Sequence, residues 1–516
     1  MKLGKYNIDK STAVIISFSL FHILVHLYTN IFEGYGIFRD EYYYIACSKR
    51  PDLGYVDHPP FSVYMLMIVR FLFGESMFTI RLLPALASGL LVYMTGALTR
   101  KAGGGIYAVL ISCITITATP LFWGIFSFYS MNFYEYFVWL GTAYILLLLS
   151  EKQQPKLWIW LGIILGLGLL NKISVLWLGA GIFFALVFTP LRSSFKTKWP
   201  YITALIAVIL FLPYIIWNFT HNFAHIEFMQ NAAGLKYSGI TRFDFIMSII
   251  MGLSPFLLLI WVPGIIYYFF NREGKNYLSL GILFLTSFLI LLINGHSKYE
   301  YLGPAFPLLY IGGGILLEKL IQKKNRVFIK YALPVFVLLT GIMLAPLGMP
   351  VLPVETIIPY SAAFNSAEKN NAEKKELAGL PQFYADMHGW EEIAQTVSRV
   401  YRSLPEDEKK TTLVYANNYG EAASSEYYSS KYEIPPVICG HNSYWFWGRE
   451  LLDGITTVII IGGDAESHKE VFEEVTEAAR AISRYAMPYE NNLPVYVCRK
   501  LKQPLNTVWE KVRFYI

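Results

Sequence analysis

Long apolar runs constrain this chain more than any other feature. A transmembrane helix needs about 20 consecutive apolar residues to cross about 30 Å of hydrocarbon. Runs of that order occupy 12–31, 79–98, 105–122, 131–150, 156–171, 173–190, 200–217, 245–270, 277–294, 301–317 and 328–348. Lipid offers no partners to backbone donors and acceptors, so each run is expected to be helical. After about residue 349 the chain turns polar. That break predicts a transmembrane domain over 1–349 and a soluble α/β domain over 350–516. The expected architecture is an α-helical polytopic membrane protein of about 11 spans plus interfacial helices. With only 16% charged residues against 55% hydrophobic ones, the chain lies well below the charge content of soluble domains.

Orientation follows from charge. The stretch 61–73 is apolar but short and contains Arg70, so it is expected to lie in the membrane interface. With the N-terminus (Lys2, Lys5, Lys10) inside, the inner loops become 99–105, 151–156, 192–198, 271–275 and 318–330. Each carries at least two Lys or Arg, as the positive-inside rule requires. If 61–73 crossed, the later basic loops would face outward. The expected location is the inner or plasma membrane, with the N-terminus cytoplasmic and the C-terminal domain extracytoplasmic. The run 12–31 ends without a small-residue cleavage site and reads as a retained anchor. The net charge of +6 is explained by the cytoplasmic loops, and nucleic acid is not an expected partner. None of the four cysteines forms a CxxC pair. Cys113 reads as a packing residue, and Cys439 with Cys498 can pair only in an oxidising compartment.

This topology gathers the polar residues on the outer side. The first outer loop holds Asp40 and Glu41 beside a span, then Asp57-His58 locked by Pro59-Pro60. An isolated Asp-Glu pair is more often a solvated helix start; a second acid-imidazole pair in the same loop favours chemistry. Further outer patches are Ser130 to Glu135 with Asn132, and Lys172 in a tight turn between apolar helices, where a snorkelling role competes with a functional one. His221 and His225 stand at i,i+4, a weak metal spacing for which interfacial hydrogen bonding is the plainer account. His296 and Lys298 lie beside Tyr299 and Tyr301, and a basic residue there is commonly a headgroup contact.

The string DEYYYIACSKRPDLGYVDHPPF from Asp40, followed by RLLPALASG from Arg81, resembles the family-39 branch of GT-C membrane glycosyltransferases. That group includes protein O-mannosyltransferases and the aminoarabinose transferases of lipid A. The segments SMNFYEYFVW, GLGLLNKISVLWLGAG, SKYEYLGPAFPLL, LPQFYADMHGW and NNYGEA also look like its bacterial branch. One departure is Asn132, where many relatives carry Asp, and it puts a two-carboxylate metal site in doubt. The resemblance implies a polyprenyl-phosphate sugar donor and a lipid, glycan or protein acceptor, with membrane lipids around them. A phosphate leaves as a stable anion, whereas the acceptor hydroxyl needs a base. Asp40 is expected to be that base in an inverting displacement, with Glu41 supporting it. His58, Arg81, Lys172 and Lys298 are the candidate phosphate ligands. Asn132, His221 and Tyr301 join them as substrate-binding candidates. Asp57 can hold His58 or bind a divalent metal ion, the one cofactor the resemblance leaves open.

In the tail, 411–416, 456–461 and 495–499 read as strands, and 465–482 reads as a helix. Asn417 to Glu421 reads as a turn leading into a helix, and the aromatic stretch 441–447 suits sugar stacking. Acceptor recognition is the expected role of this domain. The competing functions are a lipid-linked sugar flippase and a non-catalytic sugar-lipid binding protein. A transporter would carry charges deep in its spans and an internal repeat; the ionisable residues instead cluster at one face.

Overall fold

The computed structural model describes residues 2–3, 6–7, 9–32, 34–152, 154–237, 239–324, 327–364 and 379–516. Lys5 of the N-terminal basic cluster and residues 325–326 of the 318–330 loop lie outside the described residues. The chain packs as two units. One contains Met1–Phe32, Phe78–Ile216 and Tyr237–Val351; the other contains Glu33–Met77, Trp217–Lys236 and Leu352–Ile516.

The first unit is helical apart from a short hairpin of β1 (Lys2–Leu3) and β2 (Tyr6–Asn7). Among the described residues, seven helices are long and apolar enough to cross a membrane: Lys10–Thr29, Met77–Lys101, Asn132–Glu151, Trp199–Thr220, Gly274–Asn294, Tyr299–Lys323 and Val327–Leu347. The number rises to nine if two bent pairs each count as one span. The chain is a multi-pass membrane protein. The expected straight span over 245–270 is instead two helices, Arg242–Leu253 and Leu258–Phe270, bent by 90° around Ser254-Pro255. Pro255 supplies no backbone donor and disfavours helix at Ser254, whose φ is +90°. Pro190 ends the expected 173–190 span in the same way, with a bend of 101°. The run 105–122 breaks before Pro120 into Ile106–Thr117 and Pro120–Ile125.

Two close helix contacts depend on missing side chains. A Cβ on Gly264 would strike the Leu309 carbonyl, and one on Gly313 would strike the Ile260 carbonyl. Small residues let these two helices touch backbone to backbone, as membrane packing favours. The start of Ile106–Thr117 is held by Glu318, which accepts from Gly105 N at 2.6 Å and Tyr107 N at 3.0 Å. A carboxylate at a helix N-terminus satisfies orphan donors and meets the positive end of the dipole. Within the first span, buried His22 hydrogen-bonds Thr117 Oγ1 at 2.9 Å and stacks on Trp123.

The second unit carries a five-stranded mixed sheet, in the order β4-β3-β5-β7-β6. Its strands are β3 (Thr412–Ala416), β4 (Val437–Cys439), β5 (Thr457–Ile461), β6 (Phe472–Ala481) and β7 (Leu493–Leu501). β3, β4 and β5 run parallel, while β7 pairs antiparallel with β5 and β6. The central β5 is buried throughout, which is why it reads as an unbroken β-branched run. The helix expected over 465–482 is limited to Ala465–Lys469; the rest is strand β6. Helix-favouring Glu, Ala and Arg yield there to the ladder with β7, and their charges keep this edge from pairing with other chains. Cys439 on β4 and Cys498 on β7 are three strand spacings apart, about 14 Å. That exceeds the reach of a disulfide, and both thiols are free.

The same unit contains Arg39–Lys49 and Phe61–Phe73. At 13 residues, the second helix rises about 20 Å, short of a bilayer core. Phe71, Leu72 and Phe73 are exposed at its end, while Val63 and Leu66 are buried. Arg70 is tied to Glu75 at 2.9 Å and to Ser48.

Candidate functional site

Asp40 and Glu41 open the helix Arg39–Lys49, and the structure gives them different surroundings. Glu41 is fully buried and turns back to accept from Phe38 N at 2.8 Å, closing the first helical turn. Asp40 remains partly open, with its side chain 37% exposed. Its Oδ1 accepts from the Tyr419 hydroxyl at 2.8 Å and from Arg39 Nε at 3.4 Å. Arg39 in turn lies 3.8 Å from the Asp386 carboxylate, and its backbone N–H donates to the Asp386 carbonyl.

The Asp57-His58 pair is built on tyrosines. Tyr43 donates to Asp57 Oδ1 at 2.9 Å and accepts from Ser443 N at 3.3 Å. Burial and the Asp57 charge push the Tyr43 phenol well above its usual range, keeping it a donor. His58 is buried, stacked on Tyr44 and close to Tyr55. Its Nδ1 donates to the Pro59 carbonyl, and its Nε2 lies 4.0 Å from Asp57 Oδ2. The Tyr43 and Tyr419 rings lie 5.0 Å apart, so two neighbouring phenols serve Asp40 and Asp57.

His221 and His225 do not share a helix face. The helix Trp199–Thr220 ends before His221, and Asn222 and Phe223 take positive φ. His221 stacks on Trp217 and bonds its carbonyl, while buried His225 bonds the Val56 carbonyl at 2.8 Å. Burial lowers the His225 pKa, favouring the neutral ring. Among the described residues, no three His, Cys, Asp or Glu side chains gather as metal ligands. Asp57 and His58 therefore have no third ligand-type side chain grouped with them among the described residues.

In the helical unit, Lys172 is held by three groups. Its Nζ donates to Asn132 Oδ1 and Glu135 Oε2, each at 2.9 Å, and lies 5.0 Å from the Tyr301 ring centre. Ser174 donates to the other Glu135 oxygen. The pair is enclosed, with Lys172 12% and Glu135 3% exposed. Asn132, Glu135, Lys172 and Tyr301, with Tyr136 and Glu300, border a cavity of about 30 Å³. Glu135 already balances the ammonium, so Asn132 adds an acceptor without surplus charge. The Tyr301 hydroxyl contacts that of Tyr237 at 3.1 Å, and Lys298 lies over the Tyr237 ring at 5.3 Å. Lys172, Tyr301, Tyr237 and Lys298 therefore form one row. Arg81 is fully buried, and its carbonyl accepts from Asn30; His296 is exposed.

Glu135, Arg39, Tyr43, Tyr419 and Asp386 were not singled out from the sequence. Their motifs were visible, but pairings across 14 to 400 positions of sequence were not.

Apolar spanning helices, an acidic first loop and an α/β unit define a polytopic membrane protein. The chain has the fold of ArnT from Cupriavidus metallidurans. The structure of that protein bound to undecaprenyl phosphate matches with a TM-score of 0.59 at 12% identity, covering 94% of this chain and 97% of that one. Its apo state matches with a TM-score of 0.59 at 13% identity, covering 95% and 98%. Residues 57–217 match the family model described as dolichyl-phosphate-mannose-protein mannosyltransferase. No curated protein matches the chain.

Proposed function

We propose that this protein is a membrane glycosyltransferase that moves a sugar from a polyprenyl-phosphate donor to an acceptor hydroxyl at the outer face. The observation that carries the reading is Asp40. It is a partly open carboxylate with one oxygen engaged by Tyr419 and Arg39, in the loop that also bears Asp57-His58. The family model over 57–217 and the fold shared with a protein bound to undecaprenyl phosphate support the donor class. The basic inner loops support the outer-face orientation.

In the proposed step, the acceptor oxygen forms a bond to the anomeric carbon from the face opposite the phosphate. The bond from that carbon to the phosphate oxygen breaks, and polyprenyl phosphate leaves as an anion. Attack from the opposite face inverts the configuration, and the acceptor proton passes to Asp40. Glu41 caps the helix that presents Asp40. Lys298, half-buried beside Tyr237, is a candidate phosphate ligand in this reading.

The test presents undecaprenyl-phosphate hexoses and pentoses to the reconstituted protein, with native envelope extract as acceptor, and counts released undecaprenyl phosphate. Asp40→Asn is expected to abolish release while leaving donor binding and the folded yield unchanged. Near-normal turnover by Asp40→Asn would remove the assignment of the base, and a wild-type protein that moves intact donor across vesicles without cleaving it would favour a flippase.

A further inference from the structure

The motif Asn417-Asn-Tyr-Gly-Glu421 is explained by what it does for Asp40. Asn418 caps the helix Tyr419–Tyr427, its Oδ1 accepting from Gly420 N at 2.9 Å and Glu421 N at 3.0 Å. Its Nδ2 donates to Glu421 Oε1 at 2.9 Å and Glu490 Oε1 at 3.1 Å. The Glu421 carboxylate also accepts from Asn417 N at 2.9 Å. The cap therefore fixes the first helical residue, Tyr419, against the sheet.

Gly420 permits the approach. A Cβ there would stand 2.8 Å from Arg39 Cγ and 2.9 Å from the Trp390 ring. Both neighbours are anchored: Trp390 Nε1 donates to the Asp386 carbonyl at 2.8 Å, and Asp386 pairs with Arg39. A side chain at 420 would thus push the helix off the start of Arg39–Lys49. With glycine in place, the Tyr419 ring packs 4.9 Å from His441 and 5.0 Å from Tyr43. Its hydroxyl then reaches Asp40 Oδ1.

We propose that Tyr419, delivered by the tail, is the positioning residue for Asp40. This rests on the assignment of Asp40 as base. The phenol donates to Oδ1, so the carboxylate is held in one rotamer with Oδ2 left for the acceptor proton. The tail is then part of the catalytic machinery rather than an appended recognition module, and residue 419 serves the reaction without touching substrate.

The experiment compares full-length wild type, Tyr419→Phe, Gly420→Ala and Asp40→Asn in vesicles of phosphatidylethanolamine and phosphatidylglycerol. The probe is the undecaprenyl-phosphate sugar released fastest by wild type, followed at neutral pH as kcat and donor KM. Tyr419→Phe removes the hydrogen bond to Asp40, and its kcat is expected to fall about tenfold with donor KM unchanged, the loss of one hydrogen bond to a charged group. Gly420→Ala should lower kcat in the same way, with the phenol intact but displaced. An unchanged kcat, or a fall in kcat accompanied by an equal rise in donor KM, in both variants while Asp40→Asn is inactive overturns the role of Tyr419 alone. Turnover by Asp40→Asn overturns the underlying assignment and this inference with it.

Discussion

Replacing Lys172 with Met tests how the helical unit tolerates an ion in its interior. Lys172 and Glu135 are 12% and 3% exposed and meet at 2.9 Å. Removing the ammonium leaves an enclosed carboxylate with Ser174 as its remaining hydrogen-bond donor among the described residues. Breaking a buried pair from one side costs about 3–5 kcal/mol, because the surviving charge stays desolvated. At about 2 °C or more per kcal/mol for a large domain, melting in detergent should fall by roughly 6–10 °C. The double variant Lys172→Met with Glu135→Leu removes both charges and should recover most of that loss, since an apolar pair of similar volume is often neutral. Differential scanning fluorimetry with a thiol-reactive dye on the purified protein reads both. A single variant melting within about 2 °C of wild type, or a double variant no better than the single, would refute the claim that this pair is structural. Donor affinity measured on the same samples separates a second possibility: loss of affinity at unchanged melting would return Lys172 to the phosphate.

Two further outcomes follow from the site and the tail. Lys298→Ala should weaken donor binding about tenfold or more with little effect on folding, read by titration with undecaprenyl phosphate; unchanged affinity would return Lys298 to a headgroup contact. Burial and the neighbouring Glu490 carboxylate push Glu421 well above its ordinary value of 4.5. A carboxyl raised on folding contributes stability that is present below 4.5 and is lost as pH climbs from there through the raised folded value. Tail unfolding followed by tryptophan fluorescence should therefore weaken over that rise, and Glu421→Gln should flatten the dependence; an unchanged slope would show that the pair is not the source.

The long apolar runs made the membrane architecture legible, because hydropathy acts locally along the chain. Three of the five tail strands were legible for the same reason. Span geometry was less so. Ser254-Pro255 bends a run that looked continuous, since hydropathy is blind to a missing backbone donor. Residues 472–481 have helical composition, yet pairing with β7 makes them a strand. The first-loop acids stand out in the sequence, but not their different surroundings. Glu41 closes its own helix while Asp40 stays open, and neighbouring carboxylates look alike until the helix start is built.

By itself, the sequence determined that the chain is a polytopic membrane protein with acidic, imidazole and amide groups between its spans. Those are properties of single residues and their near neighbours. Tertiary structure alone decided that Tyr419 donates to Asp40 across 379 positions of sequence, that Lys172 is neutralised by Glu135, and that Cys439 and Cys498 lie three strand spacings apart. A hydrogen bond or ion pair depends on separations of about 3 Å, and only the folded backbone sets distances between residues so far apart along the chain.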